Sequence, residues 1–489
     1  QTARGPVRAG LIGTTHSHTT GKLKAMQDSP DYQVIAVCEP KPDAKAKAQA
    51  DPAFRGLPFV SDAELLGDAS VELIVVECNV WEALPLGNKV IAAGKHLHIE
   101  KPPGNNWAAF RSLVEQARRK NLLLQTGYVW RWNEAVLAAI EAAQKGWLGQ
   151  VQLIRGTMNA DRDAAQRAVE AKYRGGGFFE LAGHVIDPTV RVLGRPKEVK
   201  SWLRHGTNVA DELADNNVAV FEFGKALAVI SQSAQMAGAT DHRSFEVIGT
   251  DGTVIAWPEA NPPRLRVHMR KPQGPYKAGW QDIALGPQPR FVGDFKELAR
   301  AIKTRAPLQL SYEHELLLHE TLLRASRPGE IWAVDFQHDQ TADGKALRLA
   351  NVVDEFTREA LVMHVARSIN ADELVTVLEQ LVAKRGAPAR LRCDNGPELT
   401  SHALRDWCRF SGAKTAFIEP GAPWQNPFVE SFHSRVRDEL LNVEQFACLA
   451  EARVVIEDWR EDFNTRRPHS ALGRRTPAAF AAAWTVEAA

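Results

Sequence analysis

The chain contains 489 residues, which is too long for one ordinary domain and predicts about three. Hydrophobic residues make up 44% and charged residues 24% of the sequence, a composition that is typical of a globular protein and excludes a disordered or fibrous chain. The formal net charge is only +1, so the chain as a whole lacks the basic excess that indicates a polyanionic partner.

Charge is divided unevenly along the chain. From Pro328 onward there are 19 Lys and Arg residues against 24 Asp and Glu residues, a net charge of −5, and the first 327 residues carry +6. The five cysteines are scattered and form no CxxC pair, which favours buried free thiols over a zinc site or a disulfide framework. No apolar run approaches the roughly 20 residues that span a bilayer, so no membrane partner is expected.

Residues 1–130 are interpreted as a nucleotide-binding domain. Four apolar segments, VRAGLIG, QVIAVCEP, VELIVVECN and HLHIEKP, alternate with helical stretches at 81–93 and 107–120. This alternation of strand and helix predicts a parallel, doubly wound α/β sheet of the Rossmann type. In such a sheet, the first strand-to-helix turn meets the pyrophosphate of a dinucleotide.

The first turn and the end of the second strand supply cofactor-binding candidates. Gly13 opens a GxGxxG register, but Thr15 and His18 stand at its second and third glycine positions. Glu39 ends the second strand, where a carboxylate holds ribose hydroxyls and repels a 2′-phosphate, so NAD is favoured over NADP. A doubly wound fold that binds no dinucleotide is the alternative. His16 and His18 are interpreted as turn residues rather than metal ligands.

A second group of candidates follows the later strands of this domain. Glu100, Lys101 and Pro102 come at the carboxyl end of the predicted fifth strand, where a substrate would meet a nicotinamide. A lysine there can donate a proton to the oxygen that is oxidised or reduced. The alternative is a surface lysine before a turn proline. Asn79, Glu100 and Lys101 complete the predicted cofactor-binding residues.

Residues 131–327 are predicted to form a second, α+β domain. In GGGFFELAGHVIDPTVRVLG, Glu180 and His184 are four residues apart and Asp187 is three further on, which places them on one face of a predicted helix. A histidine with a carboxylate one turn away can transfer protons, although the same spacing also suits a simple helix pair. The alternating segments that follow predict an open, largely antiparallel sheet.

With these motifs in order, residues 7 to about 325 resemble the glucose–fructose oxidoreductase and inositol dehydrogenase (Gfo/Idh/MocA) family. The resemblance rests on the glycine turn, Glu39, the EKP triplet, GGG…E…GH..D at 175–187, and the closing segment FVGDFKELARAIKTRAPLQLSYEHELLLHETLLRAS. It implies NAD(P)-dependent hydride transfer with a sugar or cyclic polyol, in a homo-oligomer. Lys101 and His184 match the family's catalytic lysine and histidine, and Glu180 stands where an aspartate is usual.

Residues 328–489 begin at the proline and glycine that end the preceding helical pattern, and they carry three spaced carboxylates. Asp335 lies in the strand EIWAVDFQHD, Asp394 ends the strand ARLRCDNGPE, and Glu430 opens a long helix. The segments between them read, in chain order, as two strands, a helix at 370–384, a helix at 400–410 and the strand KTAFI. The three carboxylates are predicted to converge on Mg²⁺ or Mn²⁺, which prefer oxygen ligands.

This stretch resembles the integrase catalytic core of bacterial insertion-sequence transposases through WAVDF, CDNGPE, PWQNPFVESFHSRVRDELL and FNTRRPHSALGRRTP. The resemblance implies an RNase H-like fold with Asp335, Asp394 and Glu430 as catalytic, metal-binding residues. The residues expected to contact DNA are polar loop residues and basic helix residues: Gln425, Asn426, Arg435, Arg437, Arg466 and Arg467. An oxidoreductase replaces the helix-turn-helix segment of these transposases and the region is acidic, so weak DNA binding with little sequence preference is expected.

Three hypotheses about function follow. The preferred one is transposase-type DNA strand transfer by an Asp-Asp-Glu site, in a chain fused to an NAD(P)-binding oxidoreductase. The alternatives are an NAD-dependent dehydrogenase with a passive transposase-derived tail, and an inactive chance fusion. A cytoplasmic location is expected, and the start at Gln1 leaves open an exported protein from which a signal has been removed.

Overall fold

The structure is a computed structural model, and the chain divides into two compact units, Gln1–Ser326 and Arg327–Val486. The residues described are 5–172, 175–326, 331–355, 357–385, 387–388, 390–394, 396, 399, 401–411, 413–417, 427–469, 472 and 474–484. Among them, no helix is both long enough and apolar enough to cross a membrane.

The first unit begins with a five-stranded parallel sheet. Its strands are β1 (Val7–Ile12), β2 (Tyr32–Cys38), β3 (Leu73–Val76), β4 (His96–Ile99) and β5 (Leu124–Thr126), in the order β2-β1-β3-β4-β5. The helices that alternate with them are α1 (Thr19–Gln27), α2 (Pro42–Ala50), α3 (Asp62–Gly67), α4 (Val80–Ala92) and α5 (Trp107–Arg119). All four residues of β3 are buried, as expected for a strand covered on both faces. The predicted doubly wound sheet is confirmed.

The EKP triplet follows the fourth strand of this sheet, so its prediction after a fifth strand is wrong. The segment between β2 and β3 contributes only an isolated bridge, in which Phe59 pairs with Val37. One backbone bridge does not make a strand, and the fifth strand comes after the triplet. The triplet still lies at the carboxyl edge of the sheet, where parallel α/β folds bind their ligands.

An eight-stranded sheet completes the first unit. Its strands are β6 (Val151–Thr157), β7 (Glu198–Arg204), β8 (Asn216–Phe223), β9 (Ala226–Ser233), β10 (Ser244–Gly249), β11 (Gly252–Trp257), β12 (Arg264–Met269) and β13 (Gly279–Ile283). The strand order is β13-β12-β11-β10-β6-β9-β8-β7, and only the β6–β9 pair is parallel. Alternate residues are buried along β9, which is the pattern of a sheet with one covered face. The predicted open, largely antiparallel sheet is confirmed.

Six further helices belong to this unit: α6 (Glu134–Gln144), α7 (Ala164–Glu170), α8 (Gly176–Leu181), α9 (Gly183–Leu193), α10 (Val292–Thr304) and α11 (Tyr312–Ser326). Near the end of the first unit, the chain packs again on the first sheet: Phe295, Leu298 and Ile302 of α10 share a buried core with β1. Each large apolar side chain buried in this way contributes roughly 1.5–3 kcal/mol.

The helix predicted to carry Glu180, His184 and Asp187 is interrupted. Glu180 lies in α8, whereas His184 and Asp187 lie in α9, and Ala182 joins the two helices. The turn tightens there because the N–H of Val185 bonds to the carbonyl of Ala182, only three residues back. Gly183 also packs so closely that a Cβ would lie 2.3 Å from the Tyr128 ring. The prediction of a single continuous helical face is therefore wrong.

The second unit is built on a mixed five-stranded sheet. Its strands are β14 (Ile331–Gln340), β15 (Ala346–Asp354), β16 (Ala360–Ala366), β17 (Arg390–Cys393) and β18 (Lys414–Phe417), in the order β16-β15-β14-β17-β18. The pairs β14–β15 and β15–β16 are antiparallel, and β14–β17 and β17–β18 are parallel. The helices are α12 (Ala371–Arg385), α13 (His402–Ser411), α14 (Pro427–Val436), α15 (Leu449–Thr465) and α16 (Pro477–Trp484).

Two apolar cores cover the two faces of this sheet. One joins the sheet to α12 and α13, and the other joins it to α14 and α15. This is the architecture expected of the integrase core. Helix α14 begins at Pro427 rather than at Glu430, since a proline fits the first helical turn, where its missing N–H is not needed. Glu430 therefore lies within the first turn, and a π-helical turn at Arg437–Leu441 follows the helix.

Candidate functional sites

The turn after β1 requires a glycine at its first position. Gly13 has φ +86°, and a Cβ there would lie 2.5 Å from the carbonyl oxygen of Glu77. Its N–H bonds to the carbonyl of Cys38 at 2.9 Å, which ties the turn to β2. Thr15 is exposed and places a side chain where a GxGxxG turn has none. The turn thus keeps its close backbone approach but not its bare outer surface.

Glu39 stabilises this turn through hydrogen bonds. One carboxylate oxygen, Oε2, accepts the N–H of Thr14 at 2.7 Å and its hydroxyl at 2.8 Å, and the other, Oε1, accepts the N–H of Lys41 at 2.9 Å. Asn79 precedes α4 and donates to Glu82 Oε2 at 2.7 Å, while Glu82 also binds the ammonium of Lys41. Glu39 and Asn79 therefore lie at the carboxyl edge of the sheet, and their contact with a dinucleotide stays a prediction.

Lys101 and Glu180 form a buried ion pair. The ammonium donates to Glu180 Oε1 at 2.5 Å and to the main-chain carbonyl of the same residue at 3.1 Å. Burial alone would raise the pKa of the Glu180 carboxyl, but Lys101 and His16 lower it to about 2. The structure thus pairs Glu180 with the lysine that follows β4, and not with the histidine one turn away as the sequence predicted.

His184 lies beside this pair among aromatic rings. Its ring packs against Tyr128, with centroids 5.5 Å apart, and its Nδ1 has no hydrogen-bond partner among the described residues. Burial lowers the pKa of the imidazole well below its usual value. Asp187 binds Arg131 at 2.9 Å and His314 at 2.8 Å, so it belongs to a separate buried network.

Two histidines of the first turn join the same region. His18 Nδ1 is 3.2 Å from Glu100 Oε1, and His16 Nδ1 is 3.7 Å from Glu100 Oε2. One ligand atom from each of these three residues lies within 4.8 Å of the others. His16 Nε2 is also 3.8 Å from Glu180 Oε1, which brings the turn next to the Lys101 pair. The two histidines lie in the turn as predicted, but they also face carboxylates from other elements.

Sequence reasoning missed Lys22 and Glu77, which complete this cluster. The buried ammonium of Lys22 donates to Glu77 Oε1 at 2.7 Å and to Glu100 Oε2. Burial raises the pKa of Glu77 to about 7 despite Lys22, whereas Lys22 and the two histidines lower the pKa of Glu100 against the effect of burial. Burial also lowers the pKa of His18 to about 4. The four-residue spacing between His18 and Lys22 was a signal that could have placed them on one helical face.

In the second unit, two aspartates end up side by side at the sheet. Val334 of β14 stands opposite Cys393 of β17 in a parallel register; Asp335 is the next residue of β14, and Asp394 directly follows β17. Helix α14 packs on β14 and carries Glu430. On its next turn, His433 Nδ1 is 3.7 Å from Asp335 Oδ2. The register and the helix together bring the three predicted carboxylates to one region.

The pKa of Asp335 reflects its burial and the proximity of the other two carboxylates. Burial, together with the charges of Asp394 and Glu430, raises the pKa of Asp335 to about 6 against the opposing effect of one backbone hydrogen bond. No Lys or Arg ion pair with these three carboxylates is found in the part of the chain that the structure describes. Their oxygens are more widely spaced than those of the histidine cluster, which is the only described group within 4.8 Å.

The predicted DNA-contacting residues fall into three classes. Arg435 and Arg466 are exposed, and Arg466 keeps 82% of its side-chain surface accessible. Arg437 donates to the carbonyl of His338, and Arg467 is held by Asp462 at 2.7 Å and by Glu439. Gln425 and Asn426 lie outside the described residues.

Four family models match the chain, two in each unit. Residues 7–128 match "Oxidoreductase family, NAD-binding Rossmann fold", and residues 136–255 match "GFO/IDH/MocA C-terminal domain". Residues 325–423 and 411–477 both match "Integrase core domain".

Individual proteins show the same division. The chain is 44% identical over 170 residues to the insertion element IS476 uncharacterized 39.2 kDa protein of Xanthomonas euvesicatoria, covering 35% of this chain and 49%, about half, of that protein. It is 27% identical over 261 residues to myo-inositol 2-dehydrogenase of Thermotoga maritima, covering 52% of this chain and 74% of that protein. The fold resembles a levoglucosan dehydrogenase solved with NADH and levoglucosan, with a TM-score of 0.56, 18% identity and coverage of 65% and 96%.

Proposed function

Because this chain joins an oxidoreductase module of the Gfo/Idh/MocA family to an integrase core of insertion-element transposases, we propose that its second unit performs transposase-type DNA strand transfer. The single observation that carries this proposal is the placement of Asp335 within β14, of Asp394 directly after the parallel neighbour β17, and of Glu430 on the helix that packs on β14.

The donor chemistry of these residues fits hard divalent cations. Three carboxylates without a Lys or Arg partner among the described residues carry an uncompensated negative charge, and Mg²⁺ and Mn²⁺ prefer oxygen ligands. Such cations, when bound, would activate a water or a 3′-hydroxyl and stabilise the leaving oxygen. Asp335, Asp394 and Glu430 would hold them, and His433 would orient Asp335 from the next helical turn.

The test is Mn²⁺-dependent cleavage and joining of labelled duplex DNA by the full chain. Asp394→Asn should remove the activity, because an amide is a weaker metal ligand than a carboxylate. Asp339→Asn is the matched control, since Asp339 lies four residues further along β14 than Asp335, about 13 Å away in an extended strand. Activity that survives Asp394→Asn would overturn the proposal.

A second function is supported by the first unit, namely NAD(H)-dependent oxidation or reduction of a sugar or cyclic polyol. The close approach of Gly13 to Glu77 fits a dinucleotide turn, and Lys101 lies at the carboxyl edge of the sheet. Glu39 favours NAD over NADP, because its carboxylate would repel a 2′-phosphate. The nicotinamide ring, when bound, supplies the hydride chemistry, and Lys101 would hold or donate the proton at the reacting oxygen.

Binding of NADH to the full chain tests this second function through the quenching of tryptophan fluorescence. Gly13→Ala should abolish binding, because its Cβ would collide with the Glu77 carbonyl and distort the turn. Gly67→Ala is the matched control, because a Cβ there meets no atom within 4 Å. If the two variants bind NADH equally, the turn does not hold the cofactor. If neither they nor the parent chain bind it, the oxidoreductase module is a relic of a chance fusion.

The two functions define a proposed domain organisation. Residues 1–130 are a Rossmann-type cofactor domain, residues 131–327 a substrate and oligomerisation domain, and residues 328–489 an integrase core. The net charge of −5 in the last region supports weak DNA binding with little sequence preference.

A further inference from the structure

The turn between β1 and α1 places two imidazoles against a carboxylate from a different strand. His16 and His18 come from this turn, and Glu100 follows β4, more than 80 residues later. His18 Nδ1 lies 3.2 Å from Glu100 Oε1, and His16 Nδ1 lies 3.7 Å from Glu100 Oε2. Neither the fold of the dinucleotide domain nor the proposed hydride transfer requires this grouping.

The two separations from Glu100 are close to those between ligands of one metal ion, and a metal would take the place of the N–H of His18, which His16 Nδ1 accepts at 3.2 Å. Zinc binds imidazole nitrogens and carboxylate oxygens at about 2.0–2.1 Å in a tetrahedron, so two of its ligand atoms lie roughly 3.3 Å apart. Two histidines and one glutamate are also a recurrent ligand set of zinc sites that keep a fourth position for water or substrate. We propose that His16, His18 and Glu100 form a binding site for a divalent transition metal of the zinc class.

A buried carboxylate oxygen supports this site independently. Glu77 is fully buried, and its Oε2 has no hydrogen-bond partner among the described residues while lying 3.8 Å from His16 Nδ1. An unpaired buried carboxylate oxygen is costly. A cation between the imidazoles and Glu100 would compensate this charge from a short distance. One oxygen of the Glu77 carboxylate therefore faces the imidazoles without a hydrogen-bond partner among the described residues, while the other oxygen binds Lys22.

The charges around the site leave room for a cation. Three carboxylates, Glu77, Glu100 and Glu180, face two ammonium groups, Lys22 and Lys101, which leaves one excess negative charge when the histidines are neutral. Lys22 binds both Glu77 and Glu100, so it holds the carboxylates in place from behind. Such supporting contacts fix the orientation of metal ligands.

The ligand chemistry separates this site from the one in the second unit. Imidazole nitrogens suit Zn²⁺ and Co²⁺, whereas a site of carboxylates alone suits Mg²⁺ and Mn²⁺. The proposed site also lies next to the predicted catalytic lysine, because His16 Nε2 is 3.8 Å from Glu180 Oε1, which binds the ammonium of Lys101 at 2.5 Å. A metal here would be within reach of the same substrate oxygen as Lys101.

Co²⁺ titration of the full chain tests the proposal, read from visible d–d absorption and from equilibrium dialysis. The chain carries Asp335→Asn and Asp394→Asn so that the integrase carboxylates do not contribute. One Co²⁺ per chain is expected, with affinity lowered at least about tenfold by His18→Ala, since one of three protein ligands is lost. His268→Ala is the matched control, because His268 lies in β12 and its ring meets the Trp280 ring edge-to-face.

Two results would overturn the proposal. One is a chain that binds no Co²⁺ once the integrase carboxylates are neutralised, and the other is Co²⁺ affinity that His18→Ala and His268→Ala leave equal. His16→Gln serves as a second ligand variant if His18→Ala does not fold, as judged by near-ultraviolet circular dichroism. Because NADH is absent from this experiment, its result does not depend on whether the oxidoreductase module binds a dinucleotide.

Discussion

The two units each gather three acidic side chains, but they balance the charge in different ways. In the first unit, Glu77 and Glu100 bind Lys22, and Glu180 binds Lys101. In the second unit, Asp335, Asp394 and Glu430 have no Lys or Arg partner within the described ranges. The ammonium groups of the chain therefore offset most of the negative charge of the first cluster, whereas under the proposed function a bound cation would offset the charge of the second.

The largest expected effect tests this need for an external cation. Asp394→Asn should lower Mn²⁺-dependent DNA strand transfer by at least about 10³-fold, because metal-ligand and transition-state charge interactions of several kcal/mol are lost. Without metal, the same substitution should raise the melting temperature of the second unit slightly, since it removes repulsion with Asp335. Calorimetry and a strand-transfer assay measure the two quantities on one preparation. A variant that is both inactive and less stable without metal would show a structural role for Asp394.

The internal compensation of the first unit is tested by breaking the Lys101–Glu180 pair. Both side chains are nearly buried, so Lys101→Met leaves a buried carboxylate without its ammonium partner and should cost about 3–5 kcal/mol. Adding Glu180→Gln should recover part of this loss, because the stranded charge is removed. Urea unfolding measures both free-energy changes, and hydrogen exchange in peptides of the first unit is the signal that reports the unfolding of that unit.

The exposed pair of Lys89 and Asp62 is the matched control for this cycle. Its atoms are 2.9 Å apart, but the side chains are 57% and 43% exposed. Solvent screens such a pair, and Lys89→Met should cost less than about 1 kcal/mol. If Lys101→Met costs no more than Lys89→Met, the cluster is not stabilised by its own ion pairs, and the contrast between the two units is lost.

Particular residues show why some of this could be predicted from sequence. Asp335 lies within an apolar strand and Asp394 follows one, and parallel pairing brings such positions together, so the proximity of these two aspartates could be predicted from pattern and resemblance. Gly13 was predictable for a similar reason, because a turn between a strand and a helix at close backbone approach requires a glycine.

The remaining contacts depend on tertiary packing that no local pattern records. Lys101 and Glu180 are 79 residues apart in sequence, and Lys22 and Glu100 are 78 residues apart. The break at Ala182 arises where Gly183 packs on Tyr128, so the helical spacing of Glu180 and His184 gave a wrong pairing. The predicted boundary at residue 130 stays a prediction, and α10 shows that the end of the unit packs on its first sheet.

A smaller effect concerns Asp294, a buried carboxyl beside the first cluster. Burial raises its pKa to about 7 against the opposing effect of Lys22 and Arg131, and its Oδ1 has no partner among the described residues. The folded chain keeps this proton up to about pH 7, whereas the unfolded chain releases it near about pH 4. Its contribution to stability is therefore present at low pH and is lost as the pH rises from about 4 to 7.

Asp294→Asn removes this titration. Relative to the parent chain, the variant should be more stable at pH 8 than at pH 5 by roughly 1–3 kcal/mol. Urea unfolding at the two pH values measures this difference in unfolding free energy, and hydrogen exchange in peptides of the first unit reports the unfolding. If the difference in unfolding free energy between variant and parent is the same at pH 5 and at pH 8, Asp294 is ionised in the folded chain. The first cluster would then tolerate one more buried negative charge.

The smallest expected effect distinguishes a largely exposed arginine, whose ion pair with Asp462 is long at 3.9 Å, from a closely engaged one in the acidic second unit. Arg466 is 82% exposed, whereas Arg467 is held by Asp462 and Glu439 and lies over the Trp459 ring at 5.0 Å. Arg466→Ala should reduce the slope of log affinity for DNA against log salt by about 1, because one phosphate contact is lost. Arg467→Ala should leave this slope unchanged and lower the melting temperature instead. Fluorescence anisotropy with duplex DNA at several salt concentrations measures the slope.

A reduced slope in Arg467→Ala would mean that a DNA phosphate displaces the carboxylates of Asp462 and Glu439 from Arg467. The second unit would then replace ion pairs within the chain by ion pairs with DNA.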